Sequence, residues 1–341
     1  MNLKQTLVWP LTVPYGAATR LRARAYEVGL LKPKRLNARV ISVGNLTVGG
    51  TGKTPMVLWI AQHLLDEDKK TAILTRGYRG TAGPDGPTSD EVRLLKARLG
   101  DAITIGVGAD RYTRGSELVA QGIEWFVLDD GFQHLQLARD VDVVLVDAMN
   151  PFGGGRLLPA GFMREPKTAL RRADIIVITR SSRAPAVEAA IRRETGTPIF
   201  YARPWLDSVR LASDDTEIEI KGARQRKWFA FCGIGNPSAF VSDLREWGFQ
   251  ICGPRFFRDH HRYTLPELEE IAKQARAAGA DGLICTEKDR FNLPKMQSPP
   301  MDIAYCQISM QLDKAEEFWR EIQTNVAISR SKTIGSQASD L

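Results

Sequence analysis

The chain has 341 residues, and because a single hydrophobic core usually stops growing at about 250–300 residues, two domains are expected. Its composition, with 43% hydrophobic and 26% charged residues, is that of an ordinary globular protein, and its four widely spaced cysteines favour neither a disulfide framework nor a metal site. The net charge of +7 is confined to residues 1–39, which hold eight Lys/Arg and one acid, whereas residues 40–341 hold 39 residues of each sign. This balance disfavours a nucleic-acid-binding protein, so no nucleic-acid partner is expected.

Residues 1–39 are predicted to form a basic amphipathic segment that associates with an anionic membrane surface. Its apolar stretch, residues 7–15, is too short to span a bilayer, and Pro10 and Pro14 are expected to interrupt any continuous helix through it. An amphipathic helix that packs on its own domain is the alternative. The apolar residues that follow the prolines share one helical face beside several cations, as in helices that lie on anionic lipid, and are Ala17, Leu21, Ala25 and Val28.

A short apolar run at residues 40–43 leads into a glycine-rich loop that ends in Gly-Lys-Thr, and an apolar helical pattern follows. In a phosphate-binding loop the backbone N–H groups surround phosphate oxygens, the lysine reaches the β- and γ-phosphates, and the threonine can ligate Mg²⁺. We therefore predict a nucleoside triphosphate site, although Thr47 replaces the glycine of the strict pattern and a glycine-rich turn without a ligand is the alternative. The predicted nucleotide-binding residues are Thr47, Val48, Gly49, Gly50, Thr51, Gly52, Lys53 and Thr54.

Further apolar runs, separated by helix-like or loop stretches, predict an α/β fold with a largely parallel, P-loop NTPase-like sheet covered on both faces. After a polar stretch the pattern starts again, which predicts a second, smaller α/β domain and a catalytic cleft between the two. The runs assigned to strands are residues 72–74, 103–105, 125–128, 143–146, 175–178 and 199–201 in the first domain, and 228–232, 282–285 and 303–305 in the second. The predicted organisation is a basic amphipathic segment at 1–39, a nucleotide-binding domain at 40–206, a linker hairpin at 207–226, the smaller domain at 227–327 and a flexible tail at 328–341.

Two acids stand where a metal-binding acid is expected in a protein with a phosphate loop. Asp129 and Asp130 directly follow the apolar run 125–128, and adjacent residues of an extended chain point in different directions. We expect one of them to hold Mg²⁺ and the other to contact a water or hydroxyl, with two solvated loop acids as the alternative. A second glycine-rich loop, residues 153–161, precedes Arg164 and is either a phosphate-binding segment or a plain surface turn.

Two further candidates have both a functional and a structural interpretation. Asp90 begins a helical pattern after the Gly/Pro-rich segment 80–89, which is long enough to act as a lid, and by itself Asp90 is most simply a helix cap. His260 follows an aspartate that could orient its imidazole as a proton acceptor, or the pair could simply lie on a surface loop. His63 and His134 have no comparable neighbours and are interpreted as structural residues.

Several motifs together resemble the tetraacyldisaccharide 4′-kinase family of lipid A biosynthesis, from about residue 7 to about residue 319. The resemblance implies ATP- and Mg²⁺-dependent phosphorylation of the 4′-hydroxyl of tetraacyldisaccharide 1-phosphate, by an enzyme held on the cytoplasmic face of the bacterial inner membrane. A membrane-associated P-loop ATPase or GTPase switch without a lipid product is the alternative. The motifs that carry the resemblance are residues 44–55, 76–78, 129–134, 155–161, 231–237, 259–260 and 286–289.

The resemblance also implies a catalytic Asp–His pair, which maps onto Asp90 and His260 and replaces the structural interpretation of both. Asp90 would accept the proton of the attacking sugar hydroxyl while His260 orients it, and Lys53 would hold the β- and γ-phosphates. The implied Mg²⁺ ligands are Thr54 with an acid from among Asp129, Asp130 and Glu165. Candidates for binding the substrate or stabilising charge are Arg76, Tyr78, Arg111, Gln133 and Arg164.

Overall fold

The computed structural model describes residues 3–77, 81–83, 86–296 and 298–338. Its strands are β1 Arg39–Asn45, β2 Thr71–Thr75, β3 Thr81–Gly83, β4 Gly86–Thr88, β5 Thr104–Val107, β6 Trp125–Asp129, β7 Val141–Asp147, β8 Ile175–Thr179, β9 Ile199–Leu211, β10 Glu217–Ile218, β11 Lys227–Cys232, β12 Gln250–Phe256, β13 Gly282–Thr286 and β14 Ile303–Leu312. Its helices are α1 Leu3–Glu27, α2 Lys53–Asp66, α3 Asp90–Leu99, α4 Arg111–Ala120, α5 Pro185–Arg192, α6 Ile220–Gln225, α7 Pro237–Glu246, α8 Leu265–Ala277, α9 Glu287–Arg290 and α10 Ala315–Ala338.

The chain forms two compact units whose bounds differ from the predicted domains. Residues 79–98 lie within the predicted nucleotide-binding domain but join unit 2, and residues 310–327 return to unit 1. Hydrophobic patterning identifies strands and helices but does not show which core a connecting segment packs against, which is why these two exchanges were not predicted. Unit 1 comprises Met1–Tyr78, Leu99–Arg203 and Met310–Leu341, and unit 2 comprises Arg79–Arg98 and Pro204–Ser309.

Unit 1 is built on a parallel sheet with the neighbour order β9-β8-β7-β1-β6-β2-β5. Its central strands are buried except for Arg39 at the start of β1, which is why they are continuous apolar runs, and Ile41, Val143 and Ile176 are fully buried. The predicted strands of this domain are confirmed. Since all neighbouring pairs are parallel, the carboxyl ends of β1, β6, β7 and β8 share one edge of the sheet, where ligands bind in folds of this class.

Unit 2 contains the parallel order β12-β11-β13-β14, and Trp228, Phe231 and Tyr305 are among its largest fully buried side chains. The predicted strands at 228–232, 282–285 and 303–305 are confirmed. Strand β12 was missed because it lies at the end of the order, is half-exposed, and contains Gly253 and Pro254 in place of a continuous apolar run. Part of the predicted linker hairpin is present, since β10 pairs antiparallel with β9, but α6 occupies residues 220–225.

Both ends of the chain differ from the prediction. Helix α1 continues through Pro10 and Pro14, although each proline removes one N–H donor from the hydrogen-bond ladder. The expected flexible tail is helical as far as Ala338. Helix α10 is anchored by residues at four-residue spacing that its polar composition conceals, namely Phe318, Ile322 and Val326, all buried. Within the described residues, no helix is both long enough and apolar enough to cross a membrane.

The end of β1 lies unusually close to the turn that follows β6. A Cβ atom on Gly44 would be 2.5 Å from Cβ of Phe132 and 2.7 Å from its backbone nitrogen, so only glycine permits this approach. The contact places the last residue of β1, Asn45, beside the turn that carries Asp129 and Asp130. Glycine at position 44 is therefore required by the site at this edge and not by a turn.

Replacing Gly44 by alanine is expected to destabilise the protein by about 1–3 kcal/mol, because the added methyl group overlaps the backbone of Phe132. Urea unfolding of the two proteins measures the difference. Gly196→Ala is the matched control, since nothing lies within 4 Å of its Cβ position. A Gly44→Ala protein that unfolds at the wild-type urea concentration would contradict the close approach.

Candidate functional site

The predicted phosphate loop connects β1 to α2 in unit 1. Gly52, the residue before the helix, has the left-handed φ of 86° and provides no side-chain cap, so the N-terminal N–H groups of α2 are directed at the loop. Two hydrogen bonds fix the loop to neighbouring segments: Val48 N–H donates to the carbonyl of Phe162 at 2.7 Å, and the Thr179 hydroxyl donates to the carbonyl of Thr51 at 3.0 Å. This is the geometry of an anion site at a helix N-terminus.

Lys53 lies at the start of α2 and is held by two oxygen atoms. Its Nζ is 3.2 Å from Oδ1 of Asn45 and 3.5 Å from Oδ1 of Asp130. The guanidinium of Arg164 contacts both carboxylate oxygens of Asp130, at 2.8 and 2.7 Å. Asp130 thus links the lysine of the phosphate loop to Arg164, which follows the second glycine-rich loop. The sequence alone did not connect these two regions.

Asp130 stays charged in this cluster. Burial raises the pKa of its carboxyl, but the positive charges of Lys53, Arg164 and Arg111 lower it by more, so that the pKa lies below its ordinary value. The backbone of Asp130 has a φ of 50°, a conformation that turns its side chain away from the line of strand β6. The cluster therefore combines a fixed negative charge with three nearby cations.

Asp129 has different contacts from its neighbour, as expected for consecutive residues. Its Oδ2 accepts a hydrogen bond from the Thr75 hydroxyl at 3.2 Å, and its backbone carbonyl accepts one from Arg111 at 3.4 Å. Arg111 is buried and also donates to Nδ1 of His134 at 3.1 Å. Burial, together with Arg111 and other nearby cations, lowers the pKa of His134 to about 4, so a neutral imidazole orients Arg111. His134 thus has a partner in the site that the sequence did not indicate.

The remaining candidates of unit 1 differ in their surroundings. Gln133 joins the cluster, because its Nε2 donates to the carbonyl of Asn45 at 3.0 Å and its Oε1 accepts from Arg164 at 3.4 Å. Glu165 is buried and pairs with Arg172 at 2.8 Å. Thr54 is half-buried in the first turn of α2, and Arg76 is exposed after β2. Tyr78 lies outside the described residues.

Unit 2 holds the Asp–His pair. Asp90 is the first residue of α3, and its two carboxylate oxygens lie 3.0 and 2.9 Å from Nδ1 of His260. The same carboxylate accepts hydrogen bonds from the backbone N–H of Glu91 at 3.0 Å and from Nδ2 of Asn292 at 3.2 Å. His260 has a left-handed φ of 60° and its N–H donates to the carbonyl of Gly233 at 2.9 Å. The two residues are 170 positions apart in the sequence and form one buried pair.

The surroundings of both groups favour their charged forms. Burial raises the pKa of Asp90, but the hydrogen bond and charge of His260, the charge of Lys288 and the hydrogen bond from Asn292 lower it below its ordinary value. The hydrogen bond to Asp90 raises the pKa of His260 above its ordinary value, against the opposing effect of burial. A carboxylate that accepts this many donors is held in one orientation with its charge retained.

A model of the tetraacyldisaccharide-1-P 4′-kinase (LpxK) family matches residues 4–327. The chain belongs to this family. The predicted family, α/β fold class and kinase activity are thereby confirmed.

Relatives named tetraacyldisaccharide 4′-kinase match most of the chain. The one from Geobacter metallireducens is 42% identical over 310 residues, which cover 86% of this chain and 89% of the relative. The one from Chlorobium phaeovibrioides is 36% identical over 337 residues, covering 91% and 94%. Among solved structures, LpxK from Aquifex aeolicus in complex with ATP has a TM-score of 0.69 and 28% identity, covering 95% of this chain and 100% of that one. ATP as the nucleotide agrees with this neighbour and with membership of a kinase family.

Asn45 and Asn292 are the site residues that sequence reasoning missed. Asn45 contacts Lys53, and its Nδ2 also donates to the carbonyl of Thr47 at 2.8 Å. Its place at the end of a buried strand, within the glycine-rich motif at residues 44–55, was a usable signal. Asn292 follows a short helix in unit 2 with no pattern around it, so only the structure shows its contact with Asp90.

The Asp90–His260 pair is expected to stabilise the protein most between about pH 3.9 and about pH 6.5, the ordinary pKa values of the two groups. Because the pKa of Asp90 is lowered, its contribution is present above pH 3.9 and is lost as the pH falls through the folded-state pKa. Because the pKa of His260 is raised, its contribution is present below pH 6.5 and is lost as the pH rises through the folded-state pKa.

Urea unfolding of wild type and His260→Gln across this pH range measures the difference in unfolding free energy. The wild-type advantage should be largest near pH 5 and should shrink above the raised pKa of His260. His261→Gln is the control, since His261 pairs with Glu267 and not with Asp90. A difference that is independent of pH would show that the pair is not ionic.

Proposed function

We propose that the protein transfers the γ-phosphoryl group of ATP to the 4′-hydroxyl of tetraacyldisaccharide 1-phosphate, a lipid A precursor. Membership of the 4′-kinase family supports this reaction. The observation that carries the proposal is the phosphate loop of unit 1 with Lys53 fixed at its end by Asn45 and Asp130. Phosphoryl transfer depends on positioning and on neutralising charge, and this loop supplies both.

The nucleotide end of the reaction is assigned to unit 1. The loop amides of residues 47–54 would surround the β- and γ-phosphates, and Lys53 would contact them as a cation. Arg164 and Arg111 would stabilise charge that develops during transfer. The contact of Arg164 with Asp130 and that of Arg111 with the backbone of Asp129 support this assignment. Gln133 connects Arg164 to Asn45, because its side chain forms hydrogen bonds with the Arg164 guanidinium and with the carbonyl of Asn45.

Mg²⁺ is expected with the nucleotide, and the residues present fit it. The Thr54 hydroxyl and the carboxylates of Asp129, Asp130 and Glu165 are hard oxygen donors of the kind that Mg²⁺ prefers. Among the described residues no three His, Cys, Asp or Glu side chains are grouped so that they could hold a metal ion by themselves. When bound, the ion neutralises phosphate charge.

Unit 2 is proposed to supply the proton acceptor. Asp90 would take the proton of the 4′-hydroxyl as that oxygen bonds to phosphorus, and His260 would fix the carboxylate through Nδ1. A lowered pKa makes Asp90 a weak base, which suits a loose transition state in which the hydroxyl oxygen becomes strongly acidic only late in the transfer. Asp90 is therefore assigned as the general base and His260 as the group that orients it.

Peripheral attachment to the cytoplasmic face of the bacterial inner membrane is proposed for α1. Between residues 10 and 27 the helix exposes apolar side chains, with Leu11 59% and Leu21 72% exposed, beside the cations Arg20 and Arg24. Exposed leucines next to arginines suit a helix that lies on anionic lipid, where the acyl chains of the substrate would also remain. The charge balance of residues 40–341 supports the absence of a nucleic-acid partner.

Transfer of labelled γ-phosphate from ATP to tetraacyldisaccharide 1-phosphate in detergent micelles is expected for the wild-type protein and lost in Lys53→Ala. Asp90→Asn should lower kcat by about 10²- to 10⁴-fold with little change in the KM for ATP, because it removes the base and leaves unit 1 intact. Lys70→Ala and Asp101→Asn, both at exposed positions, are the matched controls. Lipid-independent phosphate release without labelled lipid would instead identify an ATPase switch, and a wild-type kcat in Asp90→Asn would remove Asp90 from the base role.

The wild-type protein is expected to cosediment with phosphatidylglycerol vesicles more strongly than with phosphatidylcholine vesicles, and less at high salt, which screens surface charge. Leu11→Glu and Leu21→Glu should weaken binding to the vesicles by at least about tenfold each, because each removes one leucine side chain that would be buried in the lipid. Ile328→Glu, at an exposed position of α10, is the control. Equal binding by the α1 variants and the control would assign membrane contact to another surface.

A further inference from the structure

The segment Thr286 to Asn292 has no part in the reaction described above, although its first four residues form one of the sequence motifs. It begins at the end of β13, contains α9 and ends at Asn292. We propose that this segment is the element that positions the Asp90–His260 pair, and that Asn292 is the positioning residue that acts on Asp90. The proposal rests on the assignment of Asp90 as the base.

One set of contacts ties the segment to α3, the helix that begins with Asp90. Nδ2 of Asn292 donates to Oδ2 of Asp90 at 3.2 Å, while Oδ1 of Asn292 accepts from Arg93 at 3.2 Å. Arg93 is one helical turn beyond Asp90, so the amide is held at both ends and its donor face is fixed toward the carboxylate. Lys288 adds an ion pair to Glu91 at 2.8 Å.

A third contact extends the attachment to the far end of α3. Arg98 donates to Glu287 at 3.1 Å and to Asp207 at 2.9 Å. Burial raises the pKa of Glu287, and Arg98 opposes that effect. The segment therefore holds α3 at its first, second and last turns, which fixes the direction of the helix as well as the position of its first residue.

A second set of contacts ties the same segment to the backbone of His260. The Asp289 carboxylate, fully buried, accepts from Gly233 N–H at 2.8 Å and from the Tyr263 hydroxyl at 2.7 Å. The carbonyl of Gly233 in turn accepts the N–H of His260 at 2.9 Å. A Cβ on Gly233 would lie 2.9 Å from Cβ of His261, so this backbone approach is close. The backbone of Gly233 thus connects Asp289 to His260, which adopts a positive φ.

The same segment therefore fixes both members of the pair, one through a side-chain amide and one through a backbone peptide. The Asn292 amide differs from the other contacts in that it donates to the carboxylate itself. A donor to a carboxylate favours its charged form, so removing the donor raises the pKa of the acid. A purely structural contact would change stability without moving this pKa.

Asn292→Leu removes the amide and keeps a similar volume, so it tests the donor and not the packing. We expect kcat to fall by about tenfold, the usual cost of losing a hydrogen bond to a charged group, with the KM for ATP unchanged. The acid limb of the kcat profile should move to higher pH by about one unit, because the pKa of Asp90 rises. Asn325→Leu is the matched control, since that amide donates to Glu321 on its own helix.

A second readout does not depend on activity. In wild type the Nδ1 proton of His260, shared with Asp90, should give a downfield proton resonance that exchanges slowly with water, assigned by its loss in His260→Gln. Asn292→Leu should broaden or remove it, and Asn325→Leu should not.

Three outcomes distinguish the proposals. If Asn292→Leu has the kcat, the acid limb and the His260 resonance of the wild type, the positioning role is overturned. A lower kcat with an unchanged acid limb and an unchanged resonance would overturn it as well. If the wild-type protein shows no transfer to the lipid, the proposed function fails, and the His260 resonance alone then decides whether Asn292 positions the pair.

Discussion

The ion cluster of Lys53, Asp130 and Arg164 is the interaction on which the nucleotide end of this protein depends. It joins three segments that are distant in the sequence: the phosphate loop, the turn after β6 and the region after the second glycine-rich loop. Without Asp130, the lysine and the arginine would repel each other at the place where both are needed for phosphate. The close approach at Gly44 has the same purpose, because it allows the turn that carries Asp130 to reach the end of β1.

Unit 2 also contains a buried carboxylate that is kept charged, but by a different set of groups. Asp90 is buried like a structural acid, yet His260, Asn292 and a backbone N–H keep it charged and oriented. In unit 1 the carboxylate balances cations that would bind phosphate, whereas in unit 2 the carboxylate is the group proposed to accept the proton. In both units burial would favour the neutral acid, and in both the neighbouring donors and cations prevail.

Much of the fold followed from the sequence because buried parallel strands are continuous apolar runs, and the phosphate loop followed because glycines, Lys53 and Thr54 occur in one short segment. The pair of Asp90 and His260 came from the family resemblance, since neither residue has a local pattern that separates it from a cap or a surface histidine. Asn292 was not found because its role depends on a fold that places it beside Arg93. Edge strand β12 and the helical tail were missed because their apolar residues are interrupted or sparse.

The path of the chain places the residues proposed for nucleotide contact and those proposed for proton acceptance in different units. Helix α3 lies between β2 and β5 of unit 1 in the sequence but belongs, up to Arg98, to unit 2. Both Asp90 and His260 are therefore supported from within unit 2, by the Thr286 to Asn292 segment, while every direct contact described for Lys53 lies within unit 1. A change at Asn292 thus reaches the base without touching a residue that holds the phosphate loop. A change that affects only the carboxylate of Asp90 is therefore expected to lower kcat and to leave the KM for ATP unchanged, because ATP is proposed to bind at the phosphate loop.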